Sequence, residues 1–184
     1  MAREPQMPHL QMPRLQMPHL QMPHLQMIEI KRWADNGLCG AVGWNMQQLS
    51  DADRFLMLRV LDHIHTVDCI FSCHLQGVAH GFQAARSETM PEFAPLADAM
   101  REMGDWYVDY ARRLSPEDLQ QPVDFVFTSG KPARMTRGQI LLHVCLHGTY
   151  HRGNAGALLQ LRGLTPSRDA ITDYLEDMAE LDAA

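Results

Sequence analysis

Apolar residues recur along most of the chain at steps of three and four, the spacing of one helix face. Between residues 28 and 48, Ile28, Trp33, Leu38, Ala41 and Trp44 predict a first helix, whose regularity Gly37, Gly40 and Gly43 weaken. Ser50, with Asp51 and Asp53 after it, is an N-terminal capping signal. It opens a long second helix to about Gln76, where Gly77 supplies the stop. Residues 78–91 read as loop through Gly81, Ser87 and Pro91. A third helix over about 92–113 carries Leu96, Met100, Met103, Trp106, Tyr107 and Tyr110 in amphipathic spacing.

The period changes in "PVDFVFTSGKPARMT", residues 122–136. Val123, Phe125 and Phe127 alternate with other residues and Ser129-Gly130 supplies a turn, which predicts a β-hairpin. Thr136 and Gln139 then have capping-box spacing and open a fourth helix to about Arg162. A short helix is expected after Pro166. The expected fold is all-α, a four-helix bundle with a short β-hairpin inserted before the fourth long helix; bundle cores commonly hold metal sites.

Residues 1–27 break this pattern with QMPHL, QMPRL, QMPHL, QMPHL over residues 6–25. A proline every fifth residue removes a backbone donor and biases the preceding Met away from helix. A disordered or polyproline-like tail is expected there, with the folded domain spanning 28–184. His9, His19 and His24 could make the tail a docking or metal-scavenging segment, but an expanded short repeat or an over-long start is the simpler reading.

Composition narrows the function classes. The 184 residues suffice for one domain with a sizeable core. Sixteen Lys+Arg against 22 Asp+Glu give a net charge of −6, and without the tail's Arg3, Arg14 and Glu4 the body carries −7. With no basic run, a nucleic-acid partner is not expected. No apolar run approaches the roughly 18–20 residues of a membrane span, so no membrane partner is expected either. Cys39, Cys69, Cys73 and Cys145 form no C-x-x-C pair, and with no secretory signal the expected location is cytoplasmic with reduced thiols.

The candidate chemistry lies in "HVCLHGTYHRG", residues 143–153, with His143, His147 and His151 at four-residue steps. Neighbours in that series have Cβ atoms about 6 Å apart and can share a cation. His143 and His151, about 12 Å apart along a helix, cannot share one. His147 therefore belongs to either possible pair. A third ligand must come from another helix, and the second helix offers His63, His65 and His74. His63 and His74 lie within roughly 20° of each other on the helical wheel, about 16 Å apart along the axis; His65 points nearly the opposite way. The spacing leaves His63 and His74 both open. Cys69 and Cys73 with the H-x-x-x-H pair would make a closed structural zinc site, although the cysteines read more simply as small buried hydrophobes.

"LDHIHTVD" together with "ILLHVCLHGTYHRGNAGALLQLRG" resembles the DinB-like family, part of the DinB/YfiT superfamily of metalloenzymes. The resemblance spans about residues 28–176 and takes in "KRWADN", "FVFTSGKPARMTRGQI" and "PSRDAITDYL". It implies an antiparallel four-helix bundle whose metal is held by one histidine of the second helix and two of the fourth. Those positions match His63, His147 and His151, and His143 falls where such proteins often carry an extra, non-ligating histidine. Around them, Gly148, Gly153 and Gly156 are expected where a neighbouring helix comes close, because each costs about 1 kcal/mol in a helix interior. Arg152 is expected to pair with a buried acid such as Asp68. Tyr150 is expected at the pocket mouth or in the core.

Three neutral imidazoles leave a metal its divalent charge and an open position, which favours catalysis or substrate binding over a structural role. Zinc or nickel fits best, with iron also compatible. The resemblance implies a metal-dependent enzyme that activates a low-molecular-weight thiol co-substrate for transfer to an electrophilic small molecule. His143 and Tyr150 are the candidates for proton transfer or orientation. It also implies a homodimer. Metal-dependent hydrolysis, and a non-catalytic, stress-associated metal-binding bundle, are the alternatives.

Overall fold

A computed structural model describes residues 23–182. The repeat up to residue 22, with the roles expected of His9 and His19, lies outside the described residues, whereas residues 23–27 are helical rather than disordered and His24 Nε2 lies 3.2 Å from the Ala111 carbonyl. Helix α1 runs Pro23–Asn45, α2 Asp51–Gln76 and α3 Phe93–Arg112. A single turn, α4, at Pro116–Leu119 leads into β1 (Pro122–Val126) and β2 (Pro132–Thr136), followed by α5 (Arg137–Leu161) and α6 (Ile171–Asp182). The expected bundle with its inserted hairpin is therefore what the chain forms.

The boundaries follow local chemistry. Ser50 accepts a hydrogen bond from the Asp53 N–H at the start of α2, and Gly77 closes that helix in the left-handed region at φ 69°. Thr136 and Gln139 make the reciprocal capping box of α5. The β1–β2 pair is antiparallel, with Phe125 opposite Ala133. Helix α1 begins at Pro23 rather than after residue 27, because proline is tolerated in a first helical turn and Leu25 finds a buried place against the core. The glycines of α1 do not interrupt it; a Cβ on Gly43 would lie 3.0 Å from the Phe93 ring. Trp44, expected on the apolar face, is 86% exposed instead, whereas Trp33 donates to Asp177 of α6 at 2.9 Å.

Helix α1 packs against α3 and α5, and α2 packs against the same two, so α1 and α2 face each other across the bundle diagonal. Two clamps set the register of α2 against α5. Arg137, at the start of α5, donates to the Leu75 carbonyl at the end of α2 at 3.1 Å. Arg162, just past the end of α5, holds the Asp53 carboxylate at the start of α2 with two bonds of 2.9 Å. The two helices thus run antiparallel, and the middle of α2 lies opposite the second half of α5.

Candidate metal centre

Those clamps bring His63 across from the stretch of α5 that contains His147 and His151. His63 Nε2 lies 3.0 Å from His147 Nε2. The His63 ring centroid is 4.8 Å from that of His147 and 4.5 Å from that of His151, and the two α5 rings are 4.5 Å apart. One nitrogen from each of the three lies within 4.8 Å of the other two, and these half-buried residues form the one such group of three or more among the described residues. His74, held by the same register toward the hairpin end of α2, stacks on Phe125 at 4.5 Å and takes no part. His65, on the other face, lies with Nε2 3.5 Å from the Cys69 sulfur. No cysteine joins the cluster, and burial pushes the Cys69 and Cys145 thiols up to about 12.

The hydrogen bonding fits a cation. His63 Nδ1 lies 2.5 Å from the Ala85 carbonyl, which only accepts, so Nδ1 carries the proton and Nε2 presents its lone pair. An imidazole oriented by a carbonyl behind it is the usual support of a metal ligand. The loop carrying Ala85 is tied down by buried Asp62, which accepts from the Ser87 N–H at 3.0 Å. His147 has no complete set of partners: its Nδ1 is buried and unbonded. If its Nε2 donates to His63, Nδ1 is an orphan acceptor; if Nδ1 holds the proton, it is an orphan donor and two lone pairs face each other. A cation between the Nε2 atoms removes the second conflict, since metal–nitrogen bonds of about 2.0–2.1 Å put tetrahedral ligand nitrogens roughly 3.3 Å apart. Burial, then the charges of His151, His63, His143 and Lys31, push the His147 pKa down to about 3, which keeps it in the neutral, ligating form. Burial followed by His63 lowers His151, and burial lowers His143.

His143 sits one turn away, its ring 5.7 Å from that of His147 and 4.6 Å from that of Phe71. It borders a cavity of about 180 Å³ that His147 also lines. Tyr150 is 68% exposed, with its ring edge-on to His151 at 5.0 Å, and is not among the residues lining that cavity.

The neighbouring face of α5 carries a buried ionic cluster. Arg152 donates to Asp35 of α1 at 2.8 Å and grips Asp169 with bonds of 2.9 and 3.0 Å. The expected Arg152–Asp68 pair does not form. Lys31 lies between α1, α2 and α5 and takes Asp68 at 2.6 Å while also binding Asp35 at 2.6 Å. A Cβ on Gly148 would meet Arg152 Nη1 at 2.9 Å and Lys31 Cε at 3.3 Å, so this glycine is required by close approach. Gly156 meets Pro166 only at ordinary contact distance and Gly153 faces open space, so close approach does not account for them. Lys31 and Asp35 were legible as a signal: they are an i, i+4 pair set on the α1 face that buries Ile28, Ala34, Leu38 and Val42. Ala85 was not legible, because its contribution is a backbone carbonyl.

Comparison with known proteins shows the family and the fold. The sequence model of the DinB family matches residues 46–181. Protein DinB of Bacillus subtilis (strain 168) is 30% identical over 120 residues, 62% of this chain and 67% of that protein. The crystal structure of a DinB-like protein from Bacillus cereus ATCC 10987 superposes with a TM-score of 0.59 at 20% identity, covering 79% of this chain and 94% of that one, a likeness of fold.

Proposed function

The chain belongs to the DinB family, and from that premise we propose that His63, His147 and His151 hold one divalent transition metal ion, zinc or nickel, in an enzyme that transfers a low-molecular-weight thiol to an electrophilic small molecule. The observation that carries this reading is the convergence of three neutral imidazoles, one of them fixed by the Ala85 carbonyl, around a space their own hydrogen bonds do not fill. When bound there, the ion supplies a Lewis-acidic charge that favours the thiolate form of a thiol. Neutral ligands leave that charge undiminished, whereas carboxylates would offset it. His143, on the cavity side of His147, accepts the proton given up by the thiol S–H. The sulfur then forms a bond to the electrophilic carbon as the bond to the displaced group breaks, and that group leaves with the proton His143 took from the thiol. Tyr150, edge-on to His151, orients that ring from the solvent side. Leu142, Leu146, Tyr150 and Leu161 form an exposed apolar stripe along α5, which supports a homodimer that buries them. Sedimentation of the chain with and without Leu146→Glu tests the dimer.

The test of function is metal content and turnover measured together on the purified chain. We expect one tightly held ion per chain, lost in His147→Ala, and thiol-dependent consumption of an electrophile that falls with it. A stoichiometric ion with no turnover on any thiol–electrophile pair returns the non-catalytic reading. An ion retained after all three histidines are replaced removes the ligand assignment.

A further inference from the structure

We infer that the cavity beside His147 is a binding site for a neutral, single-ring aromatic group, the part of the substrate that presents the reacting carbon to the centre. The inference rests on the proposed metal centre only for what the ring is held against; the cavity itself is argued from its walls. Val67, Ile70 and Phe71 of α2 form one side, and Ala85 closes another, the same residue whose carbonyl fixes His63. The roof is Phe127 and Thr128, from the turn of the inserted hairpin. His143 and His147 form the inner end.

Size and chemistry narrow the occupant. The volume is about 180 Å³, and an apolar cavity of roughly 150 Å³ is known to take up benzene. One six-membered ring fits that space. Among the described residues no side chain of Lys, Arg, Asp or Glu lines the walls, so in the metal-free protein a carboxylate or phosphate would give up its water there for no counter-charge. The walls are themselves largely rings. Phe71 meets His143 at 4.6 Å with planes tilted by 51°, leaving ring faces and edges for an aromatic guest. Val123, Phe125, Ala133 and Met135 pack the strands of the hairpin against the core, and its turn is left to cover the cavity. Phe125 is buried against Phe71 at 5.6 Å and anchors the hairpin, while Phe127, edge-on to Phe125 at 5.1 Å and partly exposed, reaches over the cavity. The turn is held by the Phe127 N–H to Lys131 carbonyl bond of 2.9 Å.

The probe is benzyl alcohol, with benzoate as its charged counterpart, titrated into the full chain as purified and again after metal removal by chelation. Methyl NMR signals of Val67 and Ile70 report occupancy. Saturable shifts with benzyl alcohol are expected in both preparations, and in the chelated one benzoate is at least about tenfold weaker because its charge is desolvated without a partner. Val67→Phe fills the cavity and should abolish the Ile70 shifts while metal content stays unchanged. If that variant does not fold, Thr128→Trp on the exposed turn closes the same space from outside and should do the same. Benzyl alcohol shifts that survive both replacements, or benzoate binding the chelated protein as tightly as benzyl alcohol does, would overturn the site. Metal content is measured separately, so loss of the metal reading with ring binding intact, or the reverse, identifies which of the two proposals failed.

Discussion

Helix α5 presents two polar clusters on neighbouring faces, one buried and ionic, the other half-buried and made of histidines. On one face Lys31, Asp35, Asp68, Arg152 and Asp169 pair cations with carboxylates at 2.6–3.0 Å. On the other, three uncharged imidazoles crowd together with a buried nitrogen of His147 left unbonded. The ionic cluster pairs every one of its charges within the chain, with Asp68 Oδ1 alone left without a hydrogen bond, and locks α1, α2 and α5 together. The histidine cluster leaves His147 Nδ1 without a partner in the chain. On the proposed reading, the residues that fix the bundle's geometry and those that take a ligand lie one helix face apart.

The largest effect should come from breaking the ionic cluster. Asp35→Ala leaves Arg152 and Lys31 each short of a buried partner, and removal of one member of such a network typically costs about 3–5 kcal/mol. Urea unfolding should show that loss; a cost under about 1 kcal/mol would mean that the cluster is not the lock described here.

Acidity should pull the two clusters in opposite directions. The His147 pKa is pushed down to about 3 from an ordinary 6.5, so the unfolded chain binds more protons between those values and stability rises with pH across that window. Burial, only partly offset by Lys31, pushes Asp68 up to about 6 from 3.8. The folded chain then binds more protons between about 4 and 6, and this contribution falls as pH rises. In metal-free protein, His147→Gln should therefore flatten the rise in unfolding free energy from pH 4 to 6, and Asp68→Asn should steepen it. Equal slopes in the two variants would contradict the assignment.

The smallest and sharpest contrast uses two glycines of α5. Gly148→Ala forces a methyl against Arg152 Nη1 and Lys31 Cε inside the ion network, which should outweigh the helix-propensity gain and destabilise by about 1–2 kcal/mol. Gly156→Ala meets only Pro166 at 3.5 Å and should be neutral or stabilising by up to about 1 kcal/mol. Thermal unfolding of the pair decides it: equal shifts would show that packing around Gly148 yields freely.

Much of the fold was legible because its signals are local. The Ser50 cap, the Gly77 stop, the Thr136–Gln139 box and the alternation around Phe125 each act within a few residues of themselves. Trp44 was misread because apolar spacing identifies a face without saying how far a neighbour covers it; at the end of α1 the bundle no longer does. Arg152 was correctly expected to find a buried acid, but three carboxylates lie near it in space, and only the path of Lys31 across the bundle diagonal decides that Asp68 is taken.

The sequence by itself determined that His147 is shared by any metal-binding pair on α5, since helical rise separates His143 from His151 by about 12 Å. It determined equally that His65 faces away. It left His63 and His74 equivalent, because both lie on one stripe of α2 and helical periodicity carries no information about height against a neighbour. That height belongs to the tertiary structure. The Arg162–Asp53 and Arg137–Leu75 clamps fix the antiparallel register, and the register puts His63 beside His147 and His151 while it leaves His74 against Phe125 of the hairpin.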